Sequence, residues 1–246
     1  MPFLIVIFMM KKLLFFTLLG SLFFAQQKTP DVYENYPKGQ NDYNGGDVQF
    51  YKELHELIVD KKIQPCENKE ELYLAKFIVY PDATIKLVEE KIEEDKCAYN
   101  LIKELAIYLK GWKPAEVEGK KVSAVTKILI FPDALFDKYS NGYDVLNYMS
   151  PPNYKGGINK FRVDFMSNVS SRISSISGGG KVLVAFDVNE KGEIENIRLD
   201  EKSGNTSFDD MIINSIRMIR GKWSPGMVHG VPVKNKFQFP VNLNIN

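Results

Sequence analysis

From Val231 onward the chain alternates. Val231, Val233, Asn235, Phe237, Phe239, Val241, Leu243 and Ile245 fall in one phase, and Pro232, Lys234, Lys236, Gln238, Pro240 and Asn242 in the other. Period two sustained over this length predicts one long closing strand with a buried and a wet face. Proline has no N–H to give a neighbouring strand, so Pro232 and Pro240 place this strand at a sheet edge. Upstream, Ile158, Phe161, Phe165, Val169 and Ile173 recur every three or four positions and predict an amphipathic helix over 158–174. "KVLVAFDV" and "EIENIRL" flank "NEKG", a hairpin pattern in which Gly192 is free to take a positive φ. Phe208, Met211, Ile212, Ser215, Ile216 and Ile219 line one face of a second helix, with Ser207 and Asp210 as its capping box and Gly221 as its C′ residue.

The same order of elements occurs earlier: helix 47–60, strands near 72–80 and 84–92, helix 98–110, strand 122–131. An internal repeat explains this. "WKPAEVEGKKV" at 112–122 returns as "WSPGMVHGVPV" at 223–233, pairing Trp112 with Trp223, Pro114 with Pro225 and Gly119 with Gly230. "YNGGDVQF" at 43–50 returns as "YKGGINKF" at 154–161 with the same displacement, while "FIVYPDATI" at 77–85 matches "FDVNEKGEI" at 186–194 two residues out of step. The predicted fold class is α+β, with two tandem domains at 43–136 and 154–246. Each is expected to pack two helices on a three-stranded antiparallel sheet, with linkers at 26–42 and 137–153.

Tyr-x-Gly-Gly-x-x-x-Phe, hairpin, helix, Trp-x-Pro, Gly and a long closing strand together resemble the C-terminal domain of TonB. The resemblance covers 154–246 most fully, in "GEIENIRLDEKSGN" and "WSPGMVHGVPVKNKFQFPVNLNI". It is weaker in the first copy, where Ala83 stands in place of Gly192. The whole resembles tandem TonB-C-like periplasmic proteins. The resemblance implies a periplasmic protein-binding module in an outer-membrane bacterium, docking an envelope protein such as the plug segment of an outer-membrane transporter. No proline-rich periplasm-spanning segment precedes the first copy, which argues against the energy-transducing role. A structural or assembly scaffold of the envelope is the competing class.

Physically, Trp and Pro after a helix supply an apolar anchor and a helix stop, and the following glycine suits a turn. The docking edge is expected on the closing strand, with Lys234, Lys236, Gln238 and Asn242 lining it and the lysines favouring acidic ligands. An edge closed by a second protomer, a homodimer, is the competing arrangement. Cys66 and Cys97 are equidistant from the hairpin turn at Pro81–Asp82, so they meet at its open end and are expected to form a disulfide in an oxidising compartment.

Other chemistry is not in view. The net charge is +1, which leaves no global basis for nucleic-acid binding, although residues 43–136 carry 14 lysines against 17 acids and all arginines (Arg162, Arg172, Arg198, Arg217, Arg220) lie in the second half. His55 and His229 share no metal-ligand spacing with the cysteines. "SISGGGK" lacks the first glycine of a phosphate loop, and "EEKIEEDK" lacks the glycine of a calcium loop. No cofactor, metal, small-molecule substrate or enzyme activity is expected.

The N-terminus reads as a signal peptide over 1–25. Lys11 and Lys12 precede an apolar run from Leu13 to Phe24 and small Ala25. The run is too short to cross about 30 Å of hydrocarbon as a helix. Mass spectrometry of the exported protein is expected to find the mature terminus at or near Gln26. A mature form that retains Leu13–Phe24 and stays in the membrane would make the segment an uncleaved anchor instead.

Overall fold

The computed structural model describes residues 32–88, 96–172 and 178–243. The expected signal segment, the acidic stretch 89–95, the start of "SISGGGK" (175–177) and the final Ile245 lie outside the described residues. The fold is mixed α+β. Among the described residues no helix is long and apolar enough to cross a membrane.

In the first half, helix α1 (Gly46–Asp60) buries Phe50, Tyr51, Leu54 and Ile58, the stripe a 3.6-residue period demands. It faces strand β2 (Tyr73–Val79), whose Tyr73, Ala75, Phe77 and Val79 alternate inward. β3 (Ile85–Leu87) returns antiparallel to β2, and α2 (Cys97–Leu105) buries Ala98, Leu101, Ile102 and Leu105. A short hairpin of β4 (Ala115–Val117) and the start of β5 (Lys120–Ile130) leads into the closing strand, which pairs with β2. The sheet is larger than the three strands expected: β1 (Val32–Tyr33) pairs parallel with β5 on the side away from β2.

The second half runs β6 (Met149–Ser150), β7 (Asn153–Tyr154), α3 (Gly157–Ser170), β8 (Gly180–Val188), β9 (Ile194–Glu201), α4 (Thr206–Arg217), β10 (Trp223–Ser224), β11 (Gly226–Val228), β12 (Val231–Val233) and β13 (Asn235–Leu243). Its main sheet has the order β13-β8-β9. The expected single closing strand is divided at Lys234: β12 pairs with β11, and β13 with β8. Two expected caps also move. The chain enters α4 through extended Asn205, whose side chain accepts from Phe208 N at 3.2 Å, so Asn205 rather than Ser207 is the cap. Gly221 is not a left-handed terminator. A Cβ there would lie 1.6 Å from Tyr154 Oη, so the glycine answers a close approach.

Strand registers in the two halves coincide once the repeat displacements are applied. Val79 faces Ala124 as Val188 faces Asn235; Phe77 faces Thr126 as Phe186 faces Phe237; Tyr73 faces Ile130 as Val182 faces Val241. The bridge Tyr43–Trp112 corresponds to Tyr154–Trp223. Register is set by which face is buried, so equal apolar phase in the two closing strands yields equal pairing.

Each half has its own core, and they meet through the tip of the β11–β12 hairpin. Val228 is buried in the first core, with Val231 and Val233 packed against it. The segment expected as a linker is built into that core too, through Tyr143 and Val145. His229 is stacked between Phe131 and Tyr148, each at 4.3 Å between centroids, and its Nε2 lies 2.9 Å from the Tyr143 hydroxyl. Burial pushes its imidazole below the ordinary histidine value. His55 stacks on Tyr139 at 4.0 Å, with Nδ1 2.8 Å from the Leu135 carbonyl.

Cys66 and Cys97 form a disulfide, with Cα atoms 5.8 Å apart and a sequence separation of 31. It ties the loop before β2 to the first residue of α2. In the chain-entropy account, closing a loop of this size stabilises by about 3–4 kcal/mol. The double variant Cys66→Ala/Cys97→Ala is expected to lose that amount in chemical denaturation of the oxidised protein. Equal midpoints for the two proteins would show that the tie adds nothing.

Candidate functional site

The closing strand of the second half is aimed by Trp223. Its indole is 6% exposed and packs against Tyr154 at 5.3 Å, Phe161 at 5.2 Å, Phe186 at 5.6 Å and Phe237 at 4.9 Å between centroids. These rings come from β7, α3, β8 and β13, so one side chain fixes all four. Trp112 repeats the arrangement with Tyr43 at 5.2 Å, Phe50 at 5.7 Å and Phe77 at 4.9 Å. Neither indole N–H has an acceptor among the described residues. Both tryptophans are therefore apolar corners, not exposed anchors for a partner.

After each Trp-x-Pro comes a two-residue turn with positive φ at both positions. Glu118 and Gly119 have φ of 52° and 74°; His229 and Gly230 have 50° and 81°. This is the hairpin turn whose twist matches its strands, and it favours glycine at the second place. Pro114 and Pro225 sit at the bend just before β4 and β11. The tyrosine that crosses each tryptophan also bonds an acid: Tyr43 donates to Glu53, and Tyr154 to Asp164 Oδ2 at 2.7 Å. Burial first, then Asp164, pushes the Tyr154 hydroxyl up to about 12. Glu53 and Asp164 share the repeat spacing, a sequence signal that the motif reading passed over.

β13 is the edge of its sheet, and among the described residues no strand pairs with its outer side. Its burial alternates, with Phe237, Phe239, Val241 and Leu243 inward and Lys236, Gln238, Pro240 and Asn242 exposed. Pro240 stands within an unbroken ladder opposite Leu183, which a proline can do only with its nitrogen turned away from the neighbour. Alternation then turns the backbone N–H and C=O of Lys236, Gln238 and Asn242 outward as well. Three of the four residues expected at the docking edge share this phase. Lys234 lies just before β13, in the break between strands.

The lysines are not free cations. Lys234 Nζ lies 3.1 Å from Glu195 Oε2 and 3.9 Å from Asp187 Oδ2, and Lys236 Nζ lies 2.6 Å from Asp200 Oδ2. Gln238 also donates to Asp200, and Arg198 Nε reaches its other oxygen at 3.2 Å. Lys236 is the main cause holding the Asp200 carboxyl below its ordinary value, so these bonds persist above that depressed value and are lost only as the pH falls through it. The expected attraction for acidic ligands is thereby offset by the face's own carboxylates on β8 and β9. Sequence reading missed this because Asp187, Glu195 and Asp200 become neighbours of the lysines only through the sheet pairing.

Trp223→Ala is expected to cost about 3–5 kcal/mol of stability, as for other large buried aromatics, and Trp223→Phe distinctly less. Urea denaturation followed by circular dichroism reads both. A Trp223→Ala protein with an unchanged midpoint would remove the corner from its structural role.

The NMR solution structure of Helicobacter pylori TonB-CTD (residues 179-285) is similar at 17% identity and a TM-score of 0.25, covering 37% of this chain and 86% of that one. No curated protein matches the chain. The family model described as "Gram-negative bacterial TonB protein C-terminal" matches residues 177–245. The segment that carries β8 through β13 is thus similar to the C-terminal domain of Gram-negative bacterial TonB proteins.

Proposed function

We propose that this chain is a protein-binding module of the bacterial envelope, built from two copies of one TonB-C-like domain, and that it docks its partner by strand addition on β13. The open outer side of β13 carries this reading. An edge strand offers a row of backbone donors and acceptors, and an extended peptide gains main-chain hydrogen bonds by joining it. The partner class is an envelope protein with an accessible extended segment, such as the plug of an outer-membrane transporter. Export to the periplasm accords with the disulfide between Cys66 and Cys97. The reading is non-enzymatic, which the similarity of residues 177–245 to the TonB C-terminal family supports, and the polar residues of the edge are engaged with one another.

Gln238→Pro tests the edge directly. The Gln238 N–H points away from β8, so proline is expected to remove an outward donor while leaving the melting temperature close to that of the parent protein. Envelope extract passed over immobilised protein should yield a partner with the parent chain and lose it with Gln238→Pro. Undiminished capture by a folded Gln238→Pro protein would place docking elsewhere, and a partner confined to structural wall components would favour the scaffold class.

A further inference from the structure

The two closing strands are paired alike on their inner sides and differently on their outer sides. β5 carries β1 against Ser123 and Ala124, parallel to it. The repeat equivalents of that pair are Lys234 and Asn235, at the start of β13, where among the described residues no strand is added. The strand on β5 is the beginning of a longer strap held by side chains. Lys127 Nζ donates to Asn35 Oδ1 at 3.1 Å, the Tyr36 hydroxyl donates to the Lys113 carbonyl at 2.7 Å, and Tyr36 packs against the first core. Gln40 imitates a strand with its side chain, giving Nε2 to the Glu116 carbonyl at 2.6 Å and taking the Glu116 N–H at 2.8 Å. Asp42 closes the strap, accepting from Lys113 N at 2.8 Å and from the Thr126 hydroxyl.

The second half has chain that could have done the same. One repeat on from 32–36 lie residues 143–147. Instead of running along β13 they turn into a short 3-10 helix over Val145–Tyr148, capped by Asp144, which accepts from Leu146 N at 2.9 Å. Tyr143 and Val145 are each 3% exposed, buried in the first core. The strap of the second half has thus been spent on joining the halves, and among the described residues no strand covers its edge.

We propose that residues 32–42 are a built-in strand that closes the docking edge of the first half. The outer side of β13 is then the edge available to a partner, and a partner strand enters parallel to β13, beginning opposite Lys234 and Asn235. This rests on the strand-addition reading above and adds its direction, its register and the identity of the silent copy. The ligand it describes is an extended segment resembling "VYENY", with its fourth residue near Gln238, the equivalent of Lys127, and an aromatic fifth residue whose hydroxyl reaches the Ser224 carbonyl, the equivalent of Lys113.

The probe is a fluorescein-labelled peptide of residues 32–42, titrated into the full exported chain. The parent protein is expected to bind one equivalent. A loosened-strap variant, Val32→Pro/Tyr33→Pro/Gln40→Ala, is expected to bind two, because it alters exposed positions and frees the first edge. Adding Gln238→Pro to each should remove one equivalent, leaving none and one. A loosened-strap protein that binds no more peptide than its parent overturns the closure of the first edge. A parent that binds none while the loosened variant binds one upholds that closure and sinks docking on β13, so the two readings fail separately. Hydrogen exchange gives a peptide-free readout: the outward amides of Ser123 and Val125 are expected to exchange at least tenfold faster once the strap is loosened. Unchanged rates there would also count against the strap.

Discussion

A buried indole at the foot of each closing strand sets where that strand can go. Trp223 touches rings from β7, α3, β8 and β13, and Trp112 does the same in the first half except where Thr126 replaces Phe237. The tyrosine that crosses each indole also lies over a glycine: a Cβ at Gly111 would be 2.4 Å from the Tyr43 ring, and one at Gly221 would be 1.6 Å from Tyr154 Oη. The strand that leaves this corner has little choice of register, since a slip by one residue would turn Phe237, Phe239 and Val241 to water. Inner register in turn decides which backbone groups face outward. The orientation of the proposed docking edge is thus a consequence of packing on the opposite side of the same strand.

With register fixed twice over, the difference between the halves lies in what covers the outer side. The first edge is covered by chain that precedes it; the corresponding chain in the second half is used to bind the halves together. His229, at the tip of the second hairpin, belongs to that joint. It stacks between Phe131 and Tyr148, whereas its equivalent Glu118 is exposed. The different use of one short segment accounts for one edge that carries a strand and one that, among the described residues, carries none. The charges on the open half's face then balance: Lys234, Lys236 and Arg198 stand against Asp187, Glu195 and Asp200. Such exposed pairs contribute little to stability. They do shape what can approach, because an incoming side chain must compete with carboxylates already in place.

Periodicity made the regular elements legible. The stripes of α3 and α4 and the alternation of β13 came directly from 3.6- and two-residue spacing, and the proline phase found the edge. The pairing of Cys66 with Cys97 was also legible, because symmetric distance from a hairpin turn is a geometric statement. What escaped was of two kinds. Segments 32–42 and 137–148 have no period, so they read as linkers although Tyr36, Tyr143 and Val145 join the first core. Tertiary neighbours across strands were also invisible, so the lysines looked unpaired. The cap at Asn205 was missed for a smaller reason: Ser207 and Asp210 satisfy the same pattern two residues later, and only the backbone decides between them.

The account turns on β13 having one paired and one unpaired side, and amide hydrogen exchange measured residue by residue on the free protein reads both sides at once. Lys236, Gln238 and Asn242 are expected to exchange quickly, and Phe237, Phe239 and Val241 to be protected by β8, giving an alternation along the strand. Uniform protection through residues 236–242 would contradict it, since the edge would then be covered, by a second copy or by chain folded onto it.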